Sequence, residues 1–391
     1  MQKMSIGSRQ EVVERLRRKY QGAGPGYRQN LINELCSVGG YERKYAIKLL
    51  NGNRPGPRGC RRGGSRPRYG AAELQVIAAI WKLGDYPCGK RLVSMLPLWL
   101  PAYQRRHGVL GTELRRKLHQ VSAPTLDRLL APSRLKLAKR AGGTKPGRLL
   151  RTQIPVRCES WDIDRPGYLE ADTVDHGGDT VAGDFMRSIT YTDIYSGWTE
   201  QAAIWNKSGT AVLAQTRQIE RELPFPLLGF DADNGGEFLN HALWRYFQQR
   251  PRPIQFTRSR AYHKNDNAHV EQKNWTKVRL LLGYARYDQP DLVPLVQQLY
   301  RRDWRLLQNF FQPIMKLRKK QRHGSRIKKT YDRPQTPAQR LLAWRGLSAL
   351  QRQRLWQLQA TLDPITLIEA VNRQLQTIRR QLREGRRRYA A

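Results

Sequence analysis

Cysteine is scarce. The four cysteines, Cys36, Cys60, Cys88 and Cys158, form no CxxC pair, and the seven histidines do not cluster beside them. That scatter argues against a zinc finger or a disulfide framework, and free thiols suit a reducing cytoplasm. Long apolar runs are missing too: no stretch approaches the ~18 uninterrupted apolar residues of a membrane span. Met1 to Arg9 holds no apolar run, so no secretory signal is predicted there. Acidic side chains are few, 32 against 71 lysines and arginines, giving a formal net charge of +39 over 391 residues. A small-molecule enzyme has little use for that excess. Its ordinary partner is a polyanion, nucleic acid foremost. With 39% of residues hydrophobic, there is enough apolar material for packed cores. The length suggests two to three domains at roughly 100–200 residues each.

The charge is unevenly placed. Residues 1–150 carry a net +23, residues 151–300 a net −2, and residues 301–391 a net +18. Two basic ends flank a carboxylate-rich middle, as if the ends hold the polyanion and the middle does chemistry.

Residues 1–51 read as a helical, helix-turn-helix-like DNA-binding domain. Ser8-Arg9-Gln10-Glu11 is a capping-box pattern, and Gly39-Gly40 separates a second helix from a third carrying Arg43, Lys44 and Lys48. In a helix-turn-helix the second helix enters the major groove. Residues 52–70 are a basic linker that cannot pack a core. Residues 71–140 read as a second helical domain of the same kind. Ser122 is suited to cap a helix with Pro124 in its first turn, so that Thr125 and Arg128 project outward. Residues 141–160 form another linker.

From Tyr168 the periodicity changes. Strands are predicted at Tyr168 to Val174, Ser188 to Ile194, Trp198 to Ile204, Leu227 to Asp233 and Ile254 to Ser259. Helices are predicted at Thr210 to Leu223, Asn240 to Gln249 and Asn267 to Gly283. Three antiparallel strands followed by alternating helix and strand fit an α/β, ribonuclease-H-like core with a mixed five-stranded sheet, assigned to residues 161–311. Three carboxylates fall at element ends: Asp172 in "YLEADTV", Asp233 in "GFDADNGGEF" and Glu271 in "YHKNDNAHVEQKNW". Hard oxygen ligands select magnesium or manganese. Two such ions about 3.5–4 Å apart stabilise both oxygens of an in-line phosphoryl transfer.

These segments resemble the catalytic core of the DDE transposase and retroviral integrase superfamily, especially bacterial insertion-sequence transposases. "DADNGGEF" is similar to that family's second-aspartate motif. "KNDNAHVEQKN" is similar to its glutamate helix, and "YTDIYSGW" to its strand ending in Asp-x-x-Ser. Asp233 and Glu271 have 37 residues between them, close to the integrase-branch spacing. The resemblance implies that Asp172, Asp233 and Glu271 hold Mg²⁺ or Mn²⁺, two ions, for nicking a transposon end and joining its 3′-hydroxyl to target DNA. It implies double-stranded DNA as partner, a homo-oligomer on that DNA, and a nucleoid-associated place in a bacterial cytoplasm. The alternatives are a ribonuclease-H-class nuclease without strand transfer and an inactive DNA-binding repressor. No zinc-binding HHCC pattern stands at the front, and no small β-barrel is evident at the end.

Other residues have narrower readings. Asp231 shares a strand face with Asp233. Asp193 is read as structural, and Glu237 as a helix-start residue. His263 and Lys264 precede the glutamate helix, and Asn267 and Asn274 share the face of Glu271. With Lys273, Lys277 and Arg279 they are candidate DNA contacts, whereas Trp275 is read as core. Leu292 to Phe311 is an amphipathic helix. Residues 312–391 are a basic arm and C-terminal helices, in which the run Lys316 to Lys329 meets phosphate.

Overall fold

The computed structural model describes residues 6–52, 68–140, 163–180, 182–232, 237–238, 240–258, 273–323 and 326–390. Its contacts divide the chain into two units, Met1–Arg68 and Tyr69–Ala391.

The first unit is a three-helix cluster. Helix α1 spans Ile6–Gln21, α2 Pro25–Gly39 and α3 Arg43–Leu50. Pro25 suits the first turn of α2, where its missing N–H goes unused. Gly40 ends α2 in a left-handed conformation and donates its N–H to Cys36 O. The core is Val13, Leu16, Leu31, Leu35, Ala46 and Leu50. Lys44 and Lys48 are exposed, while the Arg43 guanidinium lies back on α2, donating to Asn33 Oδ1 and Gln29 Oε1.

The second unit opens with four helices, α4 (Ala71–Leu83), α5 (Gly89–His107), α6 (Thr112–Gln120) and α7 (Ala123–Arg140). The sheet follows: β1 (Tyr168–Asp175), β2 (Met186–Asp193), β3 (Thr199–Trp205), β4 (Gly229–Ala232) and β5 (Gln255–Arg258). Its strand order is β3-β2-β1-β4-β5. The first three strands are antiparallel, whereas β4 runs parallel to β1 and β5 parallel to β4. This mixed five-stranded topology is compatible with a ribonuclease-H-like core. Every residue of β2 is buried, so the sheet is covered on both faces. Helix α8 (Gly209–Glu222) starts at Ser208, whose side chain accepts from Ala211 N, and α9 (His241–Gln248) starts at Asn240, which accepts from Leu243 N. These caps satisfy orphan amides at each helix start.

The predicted helix over Leu292 to Phe311 forms as α10 (Leu292–Leu299) and α11 (Arg305–Phe311), joined by a π-helical turn at Tyr300–Trp304. The basic arm expected between the core and the C-terminal helices pairs as an antiparallel hairpin, β6 (Leu317–His323) with β7 (Arg326–Tyr331), strands that the sequence reading did not place. Helices α12 (Pro337–Ala343), α13 (Ala349–Thr361) and α14 (Pro364–Ala390) complete the unit.

One continuous apolar core runs from Val76 on α4, through Phe230 on β4, to Leu382 on α14. The helical block is tied to the α/β part by buried polar links as well. Trp99 Nε1 donates to Phe311 O (3.1 Å), and Arg91 Nε donates to Pro313 O (2.7 Å). Among the described residues no helix is long and apolar enough to cross a membrane.

Candidate functional site

Residue spacing on β1 builds one polar face. Successive strand residues point to opposite sides, so Glu170 and Asp172 share a face. The parallel register sets Glu170 beside Asp231 and Ala171 beside Ala232. Asp231 therefore joins the same carboxylate face. Asp231 is buried and accepts a 2.6 Å hydrogen bond from Thr257 Oγ1. Glu170, also buried, was not singled out from sequence, although its place two residues before Asp172 is the period-two signal that marks it.

Asp172 is half-buried. Its Oδ1 accepts from Thr173 N at 2.8 Å, and its Oδ2 accepts from Asn274 Nδ2 at 2.7 Å. The Asn274 bond crosses 102 positions of chain. Asn274 Oδ1 is buried with no hydrogen-bond partner among the described residues. A buried orphan acceptor beside a carboxylate suits a water molecule or a hydrated cation.

Asn274 opens a π-helical turn, Asn274–Arg279, in the helix expected to carry the glutamate. A π turn fits an extra residue into the helix and changes which side chains share a face. Here Lys273, Asn274, Lys277 and Val278 turn inward. Trp275, read as core, is instead 47% exposed. Lys273 Nζ donates to Gly197 O (3.3 Å), and Lys277 Nζ donates to Gln312 Oε1 and lies over the Trp304 ring. Burial, reinforced by Arg91, pushes Lys273 down to about 7 and Lys277 well below its ordinary value. The phosphate-gripping role expected of these two lysines is thus corrected, because their ammonium groups face the interior. Arg279 is half-buried and donates to Asp175 O at 2.8 Å.

Two acids frame the site from a distance. Asp193 ends β2 and accepts from Gly167 N, Ser196 N and Ser196 Oγ. Burial lifts its carboxyl to about 6 against these donors. The structural reading of Asp193 agrees with this geometry. Gly197 closes the same turn with a φ of 72°, where a Cβ would collide with Ile314. Glu237 accepts from Thr173 Oγ1 at 3.0 Å, with Lys207 3.7 Å away. It faces β1 instead of capping α9, since Asn240 takes the capping position.

Asp233, His263, Lys264, Asn267 and Glu271 lie outside the described residues. Among the described residues, no three His, Cys, Asp or Glu side chains gather as a metal-holding group. Thr125 and Arg128 sit in the first turns of α7, which packs on α5 and α4. Arg128 donates to Thr125 Oγ1, which in turn bonds Ser122 Oγ.

No family model matches the chain. It is 38% identical over 344 residues to the uncharacterized protein y4rM of Sinorhizobium fredii (strain NBRC 101917 / NGR234), covering 86% of this chain and 96% of that protein. Among solved structures, the catalytic core domain of BIV integrase aligns at 19% identity over 30% of this chain and 70% of that one, with a TM-score of 0.23. A simian T-cell lymphotropic virus intasome in complex with PP2A regulatory subunit B56 gamma aligns at 16% identity over 46% of this chain and 59% of that one, with a TM-score of 0.27.

Proposed function

The chain belongs to the family of the Sinorhizobium fredii protein y4rM, and we propose that it is a DNA transposase of the DDE type, built on a ribonuclease-H-like core. One observation supports this reading: described residues next to the three motif positions lie together. Asp172 is bonded by Asn274, three residues beyond Glu271, while Ala171 pairs with Ala232, the residue before Asp233.

Asp172, Asp233 and Glu271 are the proposed metal ligands. The donor chemistry fits a hard divalent cation: carboxylate oxygens, with Asn274, whose Oδ1 has no partner among the described residues, against Asp172. When bound, Mg²⁺ or Mn²⁺, as a pair, supplies charge stabilisation at the attacking and leaving oxygens. The protein's part is positioning. Asn274 fixes the Asp172 carboxylate, and the buried π turn holds Asn274 against β1. The basic ends grip double-stranded DNA, with α3 and α7 as its helix-turn-helix readers and a homo-oligomer as the working assembly.

The test uses a duplex carrying the sequences that flank the coding region, with their inverted repeats. Asp172→Asn, Asp233→Asn and Glu271→Gln should each abolish Mg²⁺-dependent end cleavage, by about 10³-fold or more, while DNA binding persists. Full cleavage by these variants would sink the assignment. Pre-cleaved ends with a free 3′-hydroxyl should give joined products; cleavage without joining would reduce the protein to a nuclease.

A further inference from the structure

The basic run after the sheet folds into a two-stranded ribbon, β6 and β7, that no other strand joins among the described residues. Isolated hairpins are marginally stable in water, and this one is secured at its root. Lys316 N donates to Asp332 Oδ1, Asp332 N donates to Lys316 O, and Arg340 pairs with Asp332 at 2.6 Å. Lys316 Nζ donates to Ile194 O and Tyr195 O, 2.7 Å each. Gly197, in that same turn, accepts from Lys273, the neighbour of the asparagine that holds Asp172. The ribbon therefore leaves the body a short hydrogen-bonded path from the candidate site.

Beyond the root the ribbon carries exposed cations. Arg318, Lys319, Lys328 and Lys329 are exposed, and none of them is ion-paired among the described residues. The pairing of Gln321 with Lys328 places Lys328 on the face of Lys319. The pairing of Arg322 with Ile327 places Lys329 on the opposite face, with Arg322. Both faces are basic. A ribbon lying on a flat acidic surface needs charge on one face only. Charge on both faces suits a ligand with negative walls on either side. The major groove of duplex DNA, about 12 Å wide, admits a two-stranded ribbon between two phosphate backbones. Ile327 and Tyr331, 46% and 47% exposed, add apolar atoms that no other element covers among the described residues.

We propose that β6–β7 is a DNA-docking ribbon that seats in the groove of a duplex beside the catalytic site. The inference rests on the reading of this chain as a DNA-joining enzyme, yet its test is separable. Full-length protein carrying Lys319→Gln, Lys328→Gln and Lys329→Gln together is titrated with a random-sequence fluorescent duplex at several salt concentrations. The slope of log affinity against log salt should become shallower by about 2 to 3 units, at roughly 0.9 for each phosphate that a lysine neutralises. The matching triple Lys→Arg variant should keep the slope. An unchanged slope in the glutamine variant overturns the proposal, as does a weakening confined to single-stranded DNA. Wild-type cleavage is scored in parallel. An altered slope without any Mg²⁺-dependent cleavage leaves the ribbon standing and removes the transposase reading. Cleavage with an unchanged slope does the reverse.

Discussion

Asp193 sets two opposing forces against each other. Burial favours its neutral form, while three donors favour the carboxylate, and burial wins, lifting the carboxyl from 3.8 to about 6. The native state then keeps a proton that the unfolded chain has already released. This contribution to stability is fully present below about pH 4 and is lost as pH rises through about 6. Ser196→Ala removes the hydroxyl donor. It should push the Asp193 titration higher, as followed by carboxyl NMR, and lower stability by about 1.5–3 kcal/mol in a denaturant titration. A downward shift would contradict the balance described. This pair was legible in the sequence, because Asp-x-x-Ser is a local pattern and its hydrogen bonds are made across three residues. The bond from Asn274 to Asp172 was not legible from spacing, since it joins residues 102 positions apart and depends on the whole sheet.

At the scale of the element, the π turn accounts for most of what the sequence concealed. Lys273 and Lys277 stand four apart, which on a regular helix reads as a solvated basic stripe. With one extra residue in the turn, both ammonium groups lie inside, against Gly197, Gln312 and the Trp304 ring. Periodicity carries no signal for such a bulge. Lys277→Met should therefore leave the salt slope of DNA binding unchanged, because that side chain faces Trp304 and Gln312 and not solvent. Stability should hold within about 1.5 kcal/mol, since an apolar chain of like volume replaces a buried amine. A shallower slope with an intact fold would restore the phosphate-gripping role. The hairpin was hidden for a different reason. Nearly every position of β6 and β7 is polar, so no alternation of apolar and polar residues announces a strand. The five sheet strands, with their apolar inner faces, were placed within a few residues of where they form.

Across the whole molecule, charge and packing divide the chain differently. The +23 and +18 ends flank a middle of −2 in the chain. In space, though, residues 71–130 share one core with the carboxylate-bearing sheet, while residues 6–52 form a cluster of their own. Trp99 and Arg91 bolt α5 to the residues at and beyond the end of α11. That attachment turns the second unit into a ruler. DNA held by α7 would meet Asp172 at a fixed offset, because described residues of α7 and of β1 belong to one apolar core. Inserting about five base pairs, half a turn of the duplex, between the recognised sequence and the cut site should rotate the scissile bond to the far side and suppress cleavage; about ten should bring it back in phase but out of reach. Cleavage that tolerated both insertions equally, mapped by end-labelled products, would mean that α7 does not set the measure.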